Sequence, residues 1–204
     1  MLNKNIELVL AHIDELALEP YEQARGWDHM GAVIVDAGLQ AGLTYRTTVL
    51  PRARNIVAHW PDATTTSTFV QRLDQEELAE ILDWKPDGKK LQTIRDLAKF
   101  LAEEGIEEPN SLQHALNDDS FRKRLRRISG IGPKTVDYLG ILTGSNSHVA
   151  VDSQLRAFVK DAGVVVSSYR EVQEIIVAAA EARGWSPGAL DAAIWSYQSA
   201  NSGQ

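Results

Sequence analysis

The spacing of the apolar residues is the feature of this 204-residue chain that most restricts its fold. In four segments the apolar residues recur three and four positions apart, which places them on one face of a helix. These segments are Ile6–Leu16, Ile94–Leu101, Leu155–Ala162 and Val172–Ala179. No segment shows the sustained alternation of apolar and polar residues that is typical of a strand. The sequence therefore predicts an all-α protein with about ten helices.

Prolines and short polar residues indicate where these helices begin and end. The chain contains seven prolines, spread from Pro20 to Pro187. A proline is tolerated in the first turn of a helix but interrupts its interior. Asp74 and Ser111 are predicted N-caps, because a short polar side chain accepts a hydrogen bond from the free N–H groups of a first turn.

Composition limits what kind of site such a protein carries. The chain has no cysteine, so it forms no disulfide, no thiolate zinc site and no cysteine-bound iron–sulfur cluster. We expect no metal and no cofactor. No stretch approaches the roughly 18 apolar residues of a membrane span, and the N-terminus does not resemble a secretion signal. We therefore expect an intracellular protein, in the cytoplasm, without a membrane partner.

Charge is unevenly distributed along the chain. The formal net charge is −7, whereas proteins that bind nucleic acid usually carry a basic surface. A basic run, formed by Arg122, Lys123, Arg124, Arg126 and Arg127, contrasts with an acidic cluster formed by Glu103, Glu104, Glu107 and Glu108. The basic run has two interpretations, a solvated helix face or a local surface for a phosphate backbone.

A glycine turn directly follows the basic run. The segment Ile128–Lys134 reads ISGIGPK, in which Gly130 and Gly132 permit backbone angles that other residues avoid and Pro133 suits the first turn of a helix. The pattern predicts two helices joined by a tight hairpin. The free N–H groups at the start of the second helix would bind a phosphate oxygen. An ordinary corner between two helices is the alternative interpretation.

Two reactive side chains follow the hairpin. Lys134 supplies an amine, and Asp152 supplies a carboxylate 18 residues later. A neutral amine attacks a sugar carbon, while a carboxylate stabilises the positive charge that develops on the sugar. We expect burial or a neighbouring cation to favour the neutral amine of Lys134. Asp152 is also predicted to N-cap the helix that carries Leu155 and Phe158.

The hairpin, its lysine and the Val151–Arg156 segment resemble the helix-hairpin-helix DNA glycosylase superfamily, which includes endonuclease III and 8-oxoguanine glycosylases. The resemblance implies a two-lobed fold, with a helical barrel at residues 25–140 and a second lobe at residues 1–24 and 141–204. It implies that Lys134 and Asp152 are catalytic. It assigns DNA binding to Gly130, Ile131, Gly132, Thr135, Arg126, Arg127 and Gln40, of which Gln40 fills the gap left by an extruded nucleotide. Asp137 and Tyr138 are the expected residues of the base pocket.

The resemblance implies base excision repair as the function and therefore an association with the nucleoid. We expect a monomeric DNA glycosylase that removes a damaged or mismatched base from double-stranded DNA and cleaves the abasic site through a lysine Schiff base. The chain lacks the four cysteines of endonuclease III, and Ser153 and Gln154 stand where the family often has threonine and histidine. Two alternatives stay open: a non-catalytic DNA-binding module, and a monofunctional glycosylase in which water attacks. The identity of the excised base stays open as well.

Overall fold

The computed structural model describes residues 2–22 and 25–201, and these residues form helices but no strand. This confirms the predicted all-α class. Twelve α-helices and one π-helical segment (Tyr45–Val49) occur in this part of the chain. The α-helices are α1 (Leu2–Glu15), α2 (Met30–Leu39), α3 (Leu50–His59), α4 (Thr66–Gln75), α5 (Leu78–Ile81), α6 (Lys89–Glu103), α7 (Pro109–Ala115), α8 (Asp119–Leu125), α9 (Pro133–Leu142), α10 (Ser153–Asp161), α11 (Tyr169–Ala182) and α12 (Pro187–Asn201).

The chain folds into two compact units. One unit, residues 25–144, is continuous in sequence, and we call it the continuous unit. The other combines residues 2–22 with residues 145–201, and we call it the discontinuous unit. The lobe boundary expected after residue 140 therefore differs by four residues from the division between the units. The whole of α9 lies in the continuous unit.

Helix α2 is the centre of the continuous unit. All ten of its residues are buried, and it packs against α3, α4, α6 and α9. A helix that is apolar on every side is stable only when other elements surround it. Glycine permits the closest of these contacts, because a Cβ on Gly38 would lie 2.5 Å from Ile94 in α6. The periodic residues of α6, including Ile94 and Leu97, are fully buried, as the sequence predicts.

The discontinuous unit has its own core. Helix α1 packs against α11, and α12 packs against both α10 and α11. Val9 and Ile13 of α1 join Phe158 of α10 and Ile176 of α11 in one cluster of buried side chains. The two segments of this unit are thus held together by the apolar faces that the periodicity predicts. In the described residues, no helix combines the length and apolarity needed to cross a lipid bilayer.

The two predicted N-caps near the middle of the chain are wrong. Asp74 lies inside α4, whose N-cap is Thr65. Ser111 is the third residue of α7, where its hydroxyl bonds the backbone of the actual N-cap, Glu108. Both helices begin before the residue that was predicted as their N-cap: α4 begins at Thr66 and α7 at Pro109. At α7, Pro109 occupies the first turn and shows where the helix begins.

Candidate active site

The predicted hairpin lies between α8 and α9. Gly130 has a φ of +90°, and a Cβ at this position would lie 2.6 Å from the hydroxyl oxygen of Thr93 in α6. The Thr93 hydroxyl lies 2.9 Å from the carbonyl oxygen of Ser129, so α6 supports the turn from inside the unit. Gly130 therefore needs to be glycine for two reasons that concern the fold itself, its left-handed backbone and its close contact with Thr93.

Gly132 differs from Gly130 in both respects. Its φ of −100° and ψ of −179° are extended backbone that any residue adopts. A Cβ on Gly132 would meet no atom within 4 Å. It is the N-cap of α9, and no side chain caps this helix. A side chain at this position would therefore meet no neighbour within the protein, and no side chain occupies the cap of α9.

The amine of Lys134 is held by Gln40. Lys134 Nζ donates a 2.7 Å hydrogen bond to Gln40 Oε1, and Gln40 Nε2 donates a 3.1 Å bond to Thr135 Oγ1. Gln40 is the C-cap of α2; it is 7% exposed and Thr135 is 3% exposed. The structure thus joins three of the predicted site residues. The gap-filling role of Gln40 would require that its amide leave both partners.

A second lysine, Lys90, lies near the Gln40–Lys134 contact, and the sequence patterns did not predict it. Lys90 belongs to the first turn of α6, and its Nζ donates a 2.7 Å hydrogen bond to the carbonyl oxygen of Ala41. Ala41 follows Gln40 directly, so consecutive residues hold the two amines. Burial lowers the pKa of Lys90, and the positive charge of Lys134 lowers it further. Nothing in the local sequence distinguishes Lys90 from Lys89.

A buried carboxylate lies one helical turn away from Gln40 on α2. Asp36 is fully buried, and it accepts hydrogen bonds from Trp27 Nε1 at 3.0 Å and from the Tyr138 hydroxyl at 3.0 Å. The hydroxyl of Tyr45, in the π-helical segment, lies 3.5 Å from the same carboxylate. Burial raises the pKa of Asp36 to about 6, although these hydrogen bonds partly oppose the rise.

Helices α2 and α9 therefore meet in two polar layers. Asp36 and Gln40 lie four residues apart on α2, and Lys134 and Tyr138 lie four residues apart on α9, so each pair shares a helix face. One layer joins Gln40 to Lys134, and the other joins Asp36 to Tyr138. Tyr138, an expected pocket residue, thus contributes its hydroxyl to the interior of the unit. Burial, followed by the charge of Asp36, raises the pKa of this hydroxyl above its ordinary value.

Asp137, the other expected pocket residue, lies on a different face of α9. Its carboxylate accepts a 2.6 Å hydrogen bond from Arg122 Nη2 on α8, and its side chain is 4% exposed. Removal of one partner from a buried pair leaves an unpaired charge, which costs about 3–5 kcal/mol. The pair therefore fastens the two helices of the hairpin to one another.

The basic run divides into paired and exposed residues. Arg122 bonds Asp137, and Arg124 bonds Glu104 through two nitrogens, at 2.9 Å and 2.6 Å. Arg126 and Arg127 are exposed in the turn and make no ion pair within the described residues. Ile131, in contrast, is 4% exposed and packs into the core, so only its backbone faces the turn. Lys123 in α8 is exposed as well, so the exposed charges of the basic run lie in α8 and in the turn that leads to α9.

Members of the acidic cluster have partners within the protein. Glu104 is bonded by Arg124, and Glu107 accepts hydrogen bonds from the backbone N–H and the hydroxyl of Ser67. Glu108 is the N-cap of α7. These carboxylates serve local structure, and the net charge of the chain therefore says little about the surface near the hairpin.

Asp152 lies in the discontinuous unit, where it is the N-cap of α10, as predicted. Its Oδ1 accepts the backbone N–H groups of Gln154 at 2.9 Å and Leu155 at 3.1 Å. Within the described residues, Oδ2 accepts no hydrogen bond. The side chain is partly exposed. The cap therefore fixes the orientation of the carboxyl group and uses only one of its two oxygens.

Residues 7–199 of the chain match the model of a protein family described as Domain of unknown function (DUF8548). The match spans nearly the whole chain and both units. No curated protein and no solved structure matches the chain. The description of the family states no activity, so the chemistry of the site rests on its residues.

Proposed function

The chain belongs to the DUF8548 family, and we propose that it is a DNA repair glycosylase that excises a damaged or mismatched base and cleaves the resulting abasic site. The two units would be the two lobes of a helix-hairpin-helix glycosylase fold. The substrate is double-stranded DNA. The protein would act inside the cell, where chromosomal DNA is found. The proposed chemistry requires no cofactor.

One observation carries the proposal, the position of Lys134 at the open start of α9. Lys134 lies in the first turn of α9, a helix that no side chain caps, and its amine donates a hydrogen bond to Gln40. Unused N–H groups and the helix dipole favour a phosphate oxygen at this end. The absence of a Cβ at Gly132 leaves room for that phosphate. A DNA backbone bound there would bring a sugar close to the Lys134 amine.

In the proposed reaction, the neutral Lys134 amine attacks C1′ of the nucleotide and the base leaves with the electrons of the broken bond. The nucleotide must first leave the helical stack, which costs a few kcal/mol. The sugar then opens and forms a Schiff base with the lysine, and loss of the C2′ proton expels the 3′ phosphate. The resemblance assigns to Asp152 the stabilisation of the positive charge on the sugar, and its helix cap leaves Oδ2 without a hydrogen bond within the described residues.

Arg126 and Arg127 would contact the phosphate backbone on either side of the extruded nucleotide. Such contacts position DNA without reading its sequence. Asp137 and Tyr138 would fix the position of α9, because Asp137 bonds Arg122 of α8 and Tyr138 bonds Asp36 of α2. They would thereby hold Lys134 in place. A direct contact of either side chain with the base stays a prediction from the resemblance.

Borohydride trapping tests the proposal. The protein is mixed with duplex DNA that carries one abasic site, borohydride is added, and the covalent product is measured on a denaturing gel. We expect wild-type protein to form the cross-link, peptide mass analysis to place most of it on Lys134, and Lys134→Gln to lower its yield. Asp152→Asn, which keeps the helix cap, should slow base release by about 10²–10³-fold.

The exposed Lys99 in α6 provides a matched control, because Lys99→Gln makes the same chemical change on a solvent-facing lysine. Each alternative function has a distinct outcome. Base release without a cross-link would indicate a monofunctional glycosylase. Tight binding of DNA without either reaction would indicate a DNA-binding module, and both results would overturn the proposed lyase.

A further inference from the structure

Two amines, rather than one, meet at the C-terminal end of α2. Lys134 Nζ bonds the side chain of Gln40, and Lys90 Nζ bonds the backbone of Ala41, each at 2.7 Å. Lys134 belongs to α9 and Lys90 to α6, two helices that lie far apart in the sequence. Because their acceptors are consecutive residues, the fold holds both amines beside the same short segment.

We propose that Lys90 is a second nucleophilic amine of this site, which forms a Schiff base with the aldehyde of an abasic site. The inference rests on the proposed function, since the same DNA must be bound. It differs from that function in assigning reactivity to a residue that neither the hairpin pattern nor the family resemblance includes.

The partners of the two lysines support this inference. Both amines donate to neutral oxygens, one from an amide side chain and one from the backbone. Within the described part of the chain, neither lysine forms an ion pair with a carboxylate. A carboxylate would favour the ammonium form, whereas a neutral acceptor does so far less. The hydrogen bond to Ala41 nevertheless fixes the direction of the Lys90 side chain.

The electrostatics of the site favour a neutral Lys90. Burial lowers its pKa, and the charge of Lys134 acts in the same direction. Both effects favour the unprotonated form of Lys90 relative to that of an isolated, exposed lysine. An unprotonated amine is the form that attacks a carbonyl carbon.

The reaction of Lys90 balances without an added reagent. Its amine attacks C1′ of the open-chain sugar and forms a C–N bond, and the carbonyl oxygen leaves as water after proton transfer. The product is an imine, which borohydride reduces to a stable secondary amine. Without borohydride, loss of the C2′ proton breaks the bond to the 3′ phosphate, and water then releases Lys90. Lys90 would thus cleave abasic sites even when Lys134 is absent.

The test uses arginine variants of the full chain, because arginine keeps the positive charge but forms no Schiff base with the sugar. Lys134→Arg, Lys90→Arg, the double variant and wild type are each trapped by borohydride on duplex DNA with one abasic site. The linked peptides are then identified by mass spectrometry. Lys99→Arg serves as the matched control, and circular dichroism verifies that every variant is folded.

We expect Lys134→Arg to retain a reduced cross-link located on Lys90, and the double variant to lose it. We also expect wild-type protein to carry a minor adduct on Lys90, a result that depends on no substitution. If wild type is trapped but Lys134→Arg is not, or if the remaining adduct lies on another lysine, the inference is overturned and the proposed function stands. If wild type itself is not trapped, both are overturned.

Discussion

Asp36 shows how one buried residue links the polar chemistry of the site to stability. Its carboxylate lies inside a helix that is otherwise apolar, and it depends on donors from Trp27 and Tyr138 for its hydrogen bonds. The charged form loses its hydration when it is buried, and the donors replace only part of it. The residue is therefore a place where stability responds to pH.

The sign of this pH dependence follows from the direction of the pKa shift. Asp36 has a pKa of about 6 in the folded protein, above its ordinary value of 3.8. The folded state therefore holds the proton more tightly than the unfolded state. The stabilisation from this group is complete below pH 3.8, and it is lost as the pH rises through 6. At neutral pH the loss amounts to about 3 kcal/mol.

We therefore predict that Asp36→Asn removes this pH dependence. Between pH 4 and pH 7.5, the free energy of unfolding of the variant should rise relative to that of wild type by about 2.5 kcal/mol. Urea unfolding at several pH values measures this difference, and Asp87→Asn in an exposed loop is the control. Parallel pH profiles for wild type and Asp36→Asn would contradict the prediction.

Among the structural elements, the hairpin contains two glycines, Gly130 and Gly132, that are under different structural constraints. Gly130 is required by its left-handed backbone and by Thr93, and both requirements concern the folded chain alone. Gly132 meets neither requirement. In the proposed function, its missing Cβ leaves room for a phosphate at the start of α9.

The two glycines therefore form a matched pair for mutagenesis. Gly130→Ala should lower the free energy of unfolding by about 1–3 kcal/mol, because alanine is strained at a positive φ. Gly132→Ala should lower the free energy of unfolding by less than about 1 kcal/mol, because alanine is a poorer N-cap than glycine, and should weaken binding to duplex DNA by about tenfold, as expected when one charge-assisted hydrogen bond is lost. Thermal unfolding and fluorescence anisotropy at one fixed salt concentration measure the two effects. Unchanged DNA affinity in Gly132→Ala would argue against a phosphate at this end of α9.

Sequence patterns predict elements better than they predict contacts between them. The apolar periodicity identified α6, α10 and α11, and the glycine turn was recognised together with Lys134. Lys90 was missed, because its closeness to Lys134 depends on how α6 packs against the end of α2. Asp36 was missed for a similar reason, although a single charged residue in the otherwise apolar segment Met30–Leu39 is a signal that could have found it.

At the scale of the whole molecule, the two units differ in how their cores are assembled. The continuous unit draws its core from residues 25–144 alone, with α2 at the centre. Its ends lie close together, because the backbone N–H of Trp27 donates to the carbonyl oxygen of Leu142 at 2.9 Å. The discontinuous unit needs α1 to cover one face of α11.

We predict that the fragment 25–144 folds by itself, whereas the fragment 145–204 does not. The first contains every helix that surrounds α2, while the second lacks the α1 side chains Val9 and Ile13 that complete its core. Far-ultraviolet circular dichroism during heating should show a cooperative transition for the first fragment and none for the second. Addition of a peptide covering residues 1–24 is the control, and it should restore a transition. A cooperative transition in fragment 145–204 without the peptide would contradict this assignment.

The pairing of α1 with α11 also bears on the order in which the chain acquires its structure. Arg183 bonds Asp14, which lies 169 residues away in sequence. An unstructured loop of this length carries a large entropic penalty for closure. Once residues 25–144 have folded and brought Trp27 next to Leu142, most of that loop is already collapsed. Folding of residues 25–144 would thereby lower the entropic penalty for pairing α1 with α11.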